Sequence, residues 1–517
     1  MSKILFIPLD ERPCNMVYPD YIGKISGLEL CMPPKRMLGE FKKAADVEAI
    51  WDWVFEHIGE ASHAVLSMDM MLYGGIVPSR LHHLTDETCE KRIGLLKKMK
   101  EKAPDVQIYA FQLITRAPAR DGSGEEPDYY EDYGYRIFRH GVIADRMDTG
   151  AASWEEMKEI EEIRQQVPEE YLKDFLERRK LNYRNHIRTI AEVECGVIDY
   201  LIIPLDDCRE HGYAPAERRR LGARLAEKHL LNRVFLYPGA DEIGCTLLAR
   251  AINSRSKLIP KVYVDYSSLR GKLQIPSYED RSIGETVCYH LLAAGCEEAE
   301  GSKEADFVLA VNPPTPFSLR LEKELITEEL ILESERNFPG FISRMKRYLR
   351  DGILVGIADC AIPNGADRVL MEFLYEEKLL DRLAAFGAWN TSSNTLGTVV
   401  AHLCSRNAAT SSGGDAREGG TWSEEFLFYR YLEDWGYMAE VRRPVTDMLV
   451  SIDPSLSSLD LKDKEPVVRS LVTEKLKEFH QKYFPEADYQ YEIKMPWNRM
   501  FEIELAIGQG RTETQAT

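Results

Sequence analysis

Residues 200–212 read YLIIPLDDCREHG. Five apolar side chains and one proline, Tyr200 to Leu205, run directly into the adjacent carboxylates Asp206 and Asp207. An apolar run of this length, without polar alternation, is what a strand covered on both faces requires, and such strands belong to parallel α/β sheets. Comparable runs occur at KILFIPL, HAVLSM, VQIYAFQLI, RVFLYPG, KVYVDY, DFVLAV and ILVGIA, with a weaker one at LAAFGAW. Helical patterns lie between them, among them DVEAIWDWVFEHI, CEKRIGLLKKMKEK, PAERRRLGARLAEKHLL and IGCTLLARAI. This alternation predicts an α/β fold. The number of strand–helix units favours a (β/α)8-like barrel, with an open doubly wound parallel sheet as the alternative.

The rhythm breaks twice. Between the third and fourth strands, about residues 121–195, the glycine- and acid-rich DGSGEEPDYYEDYGYRIFRH leads into the charged helical block SWEEMKEIEEIRQQVPEEYLKDFLERRK, read as an inserted loop and helical segment. After residue 405, SRNAATSSGGDAREGGTWSEEF reads as a linker, followed by a mainly helical extension and a short strand at RMFEIELAI. The expected organisation is an α/β catalytic domain over 1–405 and a C-terminal extension over 406–517.

The 517 residues are 44% hydrophobic, enough for an extensive core, and carry a formal charge of −19. That charge repels polyanions, and no basic cluster is long enough to track phosphates, so neither nucleic acid nor an acidic membrane surface is an expected partner. The opening apolar run is too short for a signal peptide, and no stretch approaches the length of a membrane span. Ten cysteines are scattered without a C-x-x-C pair, which fits reduced thiols. The expectation is a cytoplasmic protein acting on a small molecule, with self-association left open.

Chemistry in parallel α/β folds sits at the carboxyl ends of the strands, where the loops converge. Successive strands deliver Asp10 and Arg12, Asp69 and Tyr73, Arg116, then Asp206, Asp207 and His211, then Asp241 and Glu242, and later Asp359 and Asn364. An aspartate after a strand also caps the next helix, the plainer reading for Asp265 and Asp367. Carboxylates crowded on one rim repel each other and persist only where cations or hydrogen bonds compensate them, so the set as a whole marks a functional site. The pairs Asp206–Asp207 and Asp241–Glu242 are the sharpest features, because neighbouring carboxyl groups held in different environments can divide acid and base roles. In AAFGAWNTSSNTLGTVV, Trp389 offers an apolar platform for a sugar ring, with Asn390 and Asn394 as neutral hydrogen-bonding groups.

The segments IPLDERPCN, SMDMMLYGGIVPSR, LDDCREHG, GADEIG, ADCAIPNGAD and WNTSSNTLGT resemble the motifs of the bacterial domain-of-unknown-function family 4127. The resemblance spans about residues 1–405 or more and implies no particular activity. A weaker likeness links the adjacent acids to substrate-assisted hexosaminidases. It implies a barrel in which one acid orients an acetamido group and its neighbour protonates the leaving oxygen.

The expected function is a glycoside hydrolase-like enzyme. Asp206, Asp207, Asp241 and Glu242 supply catalysis, and Asp10, Arg12, Asp69, Tyr73, Arg116, His211, Asp359, Asn364, Trp389, Asn390 and Asn394 bind the sugar, with no cofactor. One alternative is a Mg²⁺- or Mn²⁺-dependent hydrolase or lyase using Asp10, Asp69, Asp206 and Asp241. Another is a non-enzymatic sugar-binding protein. No H-E-x-x-H, G-x-S-x-G, P-loop or G-x-G-x-x-G is present.

Overall fold

A computed structural model describes residues 3–316, 319, 336–411 and 416–509. The chain divides into two units, the first comprising Met1–Ile259 with Leu273–Glu297 and the second Pro260–Lys272 with Glu298–Thr517.

All five of the first apolar runs form strands of unit 1. Strands β1 (Lys3–Ile7), β2 (Leu30–Cys31), β3 (Ala61–Ser67), β4 (Gln107–Phe111), β5 (Tyr200–Ile202) and β6 (Val234–Phe235) pair in the order β2-β1-β3-β4-β5-β6. Every ladder is parallel. Helices return the chain between strands, and their starts are written locally. The Asp46 side chain accepts from Ala49 N–H at 3.1 Å to begin helix Val47–His57, and Thr85 accepts from Thr88 N–H at 3.2 Å to begin Asp86–Lys102. Helix Ile243–Ser256 lies against the sheet at Gly244, where a Cβ atom would come within 2.9 Å of Phe6.

The ladder continues past the regular strands where it matters most. Leu205 bridges Ile114 on one side and Pro238 on the other. Leu205 N–H donates to Tyr237 C=O at 3.0 Å, and Asp206 N–H donates to Ile114 C=O at 3.2 Å. These bonds hold the segments after β4, β5 and β6 side by side.

The inserted segment between β4 and β5 is three helices, Tyr130–Asp148, Trp154–Gln166 and Glu169–Glu194. Its charged faces conceal an apolar stripe: Tyr130, Ile137, Ile143, Ile160, Ile163, Val167 and Phe175 pack as a small separate core.

Unit 2 holds the remaining runs. Strands β7 (Lys261–Tyr266), β8 (Glu297–Glu298), β9 (Phe307–Asn312), β10 (Leu354–Asp359) and β11 (Ala385–Gly387) form a second sheet in the order β11-β10-β9-β7-β8. Its ladders β7–β9, β9–β10 and β10–β11 are parallel. Helices Ser392–Ser411 and Ala416–Arg430 follow, so the stretch read as a linker is helical on both sides of residues 412–415, which lie outside the described residues. A π-helical segment, Tyr431–Val441, two more helices and an antiparallel pair, β12 (Tyr489–Lys494) with β13 (Glu504–Gln509), complete the unit.

The protein is therefore mixed α/β with parallel sheets. The nine apolar runs divide five and four between two sheets, and among the described residues no ladder closes either sheet into a ring. An apolar run records that a strand is covered on both faces; it does not record which strand lies beside it. None of the ten cysteines is in a disulfide, and among the described residues no helix is long and apolar enough to cross a membrane.

The turn after helix Met68–Tyr73 requires glycine. Gly74 has φ +86°, and a Cβ there would lie 2.7 Å from the backbone nitrogen of Ala45, whose N–H donates to Gly74 C=O. Gly74→Ala is expected to lower the urea-unfolding free energy by on the order of 2 kcal/mol or more. Gly59→Ala, at a glycine with nothing within 4 Å of the added atom, serves as the near-neutral control.

Candidate functional site

In unit 1 the segments following β1, β3, β4, β5 and β6 deliver acids that are bridged by three arginines. After β1, Arg12 folds back on Asp10, donating through Nε at 2.9 Å and through a terminal nitrogen at 2.7 Å, and the same guanidinium reaches Asp241. Asn15 Nδ2 donates to Asp10 at 2.8 Å and to Asp241 at 3.1 Å. Arg80, from helix Ile76–Leu81, donates to Asp206 at 2.7 Å and Glu125 at 2.9 Å, with Glu126 at 3.4 Å. Arg116 donates to Glu125 at 2.8 Å, Glu126 at 2.9 Å and Asp207 at 2.9 Å. These are charge-assisted bonds in a largely buried setting, where an unpaired ion is most costly.

The two acids that end β5 differ in environment. The Asp206 side chain is 7% exposed against a 4% exposed Arg80, whereas that of Asp207 is 29% exposed beside Arg116. Asp207 has φ +33°, a left-handed backbone uncommon for a non-glycine residue, and the successive carboxyl groups meet different arginines. Burial raises the Asp207 carboxyl above the usual carboxylate range; Arg116 opposes this rise and Asp206 adds to it. Burial likewise raises Asp241, against the pull of Arg12.

Two acids lie deeper. Asp69 is buried on helix Met68–Tyr73; one oxygen accepts from Leu113 N–H at 2.8 Å, the other has no partner, and burial pushes the carboxyl up to about 7. Glu242 accepts from Ala240 N–H at 3.0 Å through one oxygen and has no partner for the other. Burial raises Glu242 to about 8 and lowers His290, 3.9 Å away, to about 3, so a neutral acid faces a neutral imidazole.

Two residues expected on this rim serve elsewhere in unit 1. The Tyr73 hydroxyl accepts from Asn185 Nδ2 at 2.9 Å and its ring stacks on His82 at 4.5 Å, tying its helix to the inserted Glu169–Glu194. His211 Nδ1 lies 3.2 Å from Asp145 Oδ2 on inserted helix Tyr130–Asp148, where Asp145 also accepts from Gly212 N–H and from Arg219.

The remaining expected residues belong to unit 2. Asp359 accepts from Asn312 Nδ2 at 2.9 Å and from Asp367 N–H at 2.6 Å, and burial with Asp367 alongside raises it to about 7. Asp367 caps helix Arg368–Glu376 through Val369 N–H, whereas Asp265 caps no helix and instead takes both Arg344 nitrogens, at 2.7 and 2.9 Å, and the Tyr348 hydroxyl. Trp389 is 2% exposed, edge-on to Phe501 at 5.9 Å, and so presents no open face in this structure. Asn364, Asn390 and Asn394 lie on adjoining loops and the start of a helix. The rim read as one ring is thus two sets on two sheets.

The family profile described as "Protein of unknown function (DUF4127)" matches residues 4–506. The chain belongs to the DUF4127 family. No curated protein matches it.

Several of the residues that organise the site in this DUF4127 protein escape a strand-end reading. Arg80 sits on a helix seven residues beyond Tyr73, and Glu125 and Glu126 sit in the loop leading to the inserted helices. Arg80 and Asn15 do fall inside the quoted family segments, YGGIVPSR and PLDERPCN, which is the signal that could have found them. The Cys208 thiol is buried and pushed well above its ordinary range, the opposite of an activated nucleophile. Among the described residues no group of three or more His, Cys, Asp or Glu side chains is arranged to hold a metal ion.

Removing Arg80 takes from buried Asp206 the arginine it pairs with, while Glu126 keeps Arg116, so Arg80→Ala is expected to cost on the order of 3–5 kcal/mol in urea unfolding. Glu242 supplies a pH test. Below about pH 4.5 both folded and unfolded chains hold its proton, and between there and about pH 8 only the folded chain does. Its contribution to stability is therefore full at low pH and is lost as pH rises through that window. Stability of wild type relative to Glu242→Gln should accordingly fall with rising pH, by on the order of 1.4 kcal/mol per unit at most. A flat difference between the two urea curves across pH 5–8 would contradict a buried neutral Glu242.

Proposed function

We propose that unit 1 is a glycosidase-like hydrolase in which Asp207 is the general acid and Asp206 the carboxylate that orients the substrate. One observation carries this reading: adjacent acids at the end of β5 have different surroundings, Asp206 buried on Arg80 and Asp207 partly open with a raised carboxyl. In the reaction, Asp207 gives its proton to the glycosidic oxygen as the bond to the anomeric carbon breaks. Asp206 orients the acetamido group, or stabilises the positive charge that develops on the ring, and water then adds to the anomeric carbon as its proton passes to the Asp207 carboxylate, which restores the acid. The Arg116 guanidinium, 2.9 Å from Asp207, supports the carboxylate left after proton donation.

The other acids take supporting roles. Asp10 and Asp241 are cross-linked by Arg12 and Asn15, which holds the β1 and β6 loops together at the edge of the site. Glu242, closed off from solvent, acts beneath the loop rather than on the substrate. A Mg²⁺ or Mn²⁺ site at Asp10, Asp69, Asp206 and Asp241 is less favoured, because arginine and asparagine donors already occupy oxygens of Asp10, Asp206 and Asp241. The substrate class is a neutral sugar, with an N-acetylhexosamine the first choice. A cytoplasmic location accords with cysteines of which none is in a disulfide.

The test is turnover of a panel of aryl glycosides and aryl N-acetylhexosaminides by the full chain. Asp207→Asn should lower kcat by about 100-fold or more, and wild-type activity should fall as pH rises through the Asp207 ionisation. Full turnover by Asp207→Asn, or binding of sugars without any turnover by wild type, would overturn the proposal.

A further inference from the structure

Unit 2 contains a built polar site that the acid-pair reading does not use. The loops after β10 and β11 are joined by Asn364 N–H donating to Asn390 C=O at 2.8 Å, and both asparagines are held in left-handed backbone, φ +61° and +60°. A non-glycine residue in that region is sustained only when its surroundings dictate it. Here the π-helical segment Tyr431–Val441 does so. Buried Asp434 accepts from Ala388 N–H at 2.7 Å through its carboxylate and from Ala366 N–H at 3.1 Å through its carbonyl, gripping both loops, and Arg430 donates to the same carboxylate. Wide turns of this kind recur at functional sites. At the ends of β7, β9 and β10, Ser267, Asn312, Asp359 and Asp367 form a connected hydrogen-bond network, with Ser267 Oγ donating to Asn312 at 2.6 Å.

Within this frame two amide ends have no partner. Asn394, 3% exposed, accepts from Thr391 Oγ1 at 2.6 Å and from Asn390 Nδ2 at 3.4 Å through Oδ1, leaving Nδ2 unused; Asn364 Oδ1 is likewise unused. A buried donor or acceptor without a partner loses the hydrogen bond it would make in water and is costly to keep. We propose that Asn364 and Asn394 bind a neutral ligand that presents a hydrogen-bond donor beside an acceptor, as a secondary amide or the hydroxyls of a sugar do. Charge argues for a neutral ligand, because Arg336 is engaged by Asp367, and Arg430 by Asp434 and Glu433. Both amide atoms are covered in the structure described. This inference does not rest on the chemistry of unit 1.

Hydrogen-exchange mass spectrometry on the full chain tests it, with N-acetylglucosamine and glucose as separate probes. Slowed exchange is expected in peptides covering 360–367 and 388–396, with N-acetylglucosamine alone if an amide is recognised and with both sugars if hydroxyls suffice. Asn394→Asp keeps the acceptor for Thr391 but removes the donor, and Asn364→Gly keeps the left-handed backbone but removes the acceptor; each should abolish the protection. Asp207→Asn should leave it intact, which separates this site from the acid pair of unit 1. No protection by either sugar, meaning that water alone fills the site, would overturn the proposal. So would protection unchanged in both asparagine variants.

Discussion

Three buried or nearly buried arginines make the carboxyl edge of the first sheet tenable. Parallel strands β1, β3, β4, β5 and β6 place their acids on one edge, and the extended ladder through Leu205 aligns the segments that carry Arg116, Asp206, Asp207, Asp241 and Glu242. Without counter-charge, acids at this density could not remain ionised at low exposure. Arg80 comes from a helix, Arg116 from the loop after β4, and Arg12 from the loop after β1, so the cations arrive from separate parts of the chain. The same arrangement leaves Asp69 and Glu242 beyond the arginines' direct hydrogen bonds, and both are driven toward the neutral form by burial.

Unit 2 meets a related problem with neutral donors alongside arginines. Its loops are held by asparagine, serine and backbone N–H donors around Asp359, Asp367 and Asp434, and the π-helical stretch supplies Asp434, which reaches one loop through its carboxylate and the other through its backbone carbonyl. A π turn positions backbone and side-chain groups differently from an α turn, and buried Asp434 uses both. Both sheets thus carry arginine-braced acids, and that of unit 2 adds the amides of Asn312, Asn364, Asn390 and Asn394.

Much of this was legible from residue order. All nine apolar runs are strands, the insertion between β4 and β5 is helical, and Asp367 is the cap that its position after β10 suggested. The acids and arginines at Asp10, Arg12, Arg116, Asp206, Asp207 and Asp241 do meet. Tyr73 and His211 do not join them, because each is claimed by an inserted helix, through Asn185 and Asp145 respectively, and long-range partners leave no trace in the spacing around a residue. Trp389 looked like a platform because aromatic rings beside asparagines suit sugars; its near-complete burial against Phe501 follows from a C-terminal segment more than 100 residues away in the chain.

By itself the sequence determined the α/β class, the strands, the helix cap at Asp367 and the concentration of acids at strand ends, because these follow from local hydrophobic periodicity and short-range hydrogen bonding. Tertiary structure alone decided that the strands divide between two sheets, that Arg80, Glu125 and Glu126 complete the charged network, and that Asp206 and Asp207 differ in exposure. The physical reason is that strand neighbours, ion-pair partners and desolvation are set by groups distant in the chain, so they come into being only when the chain has packed.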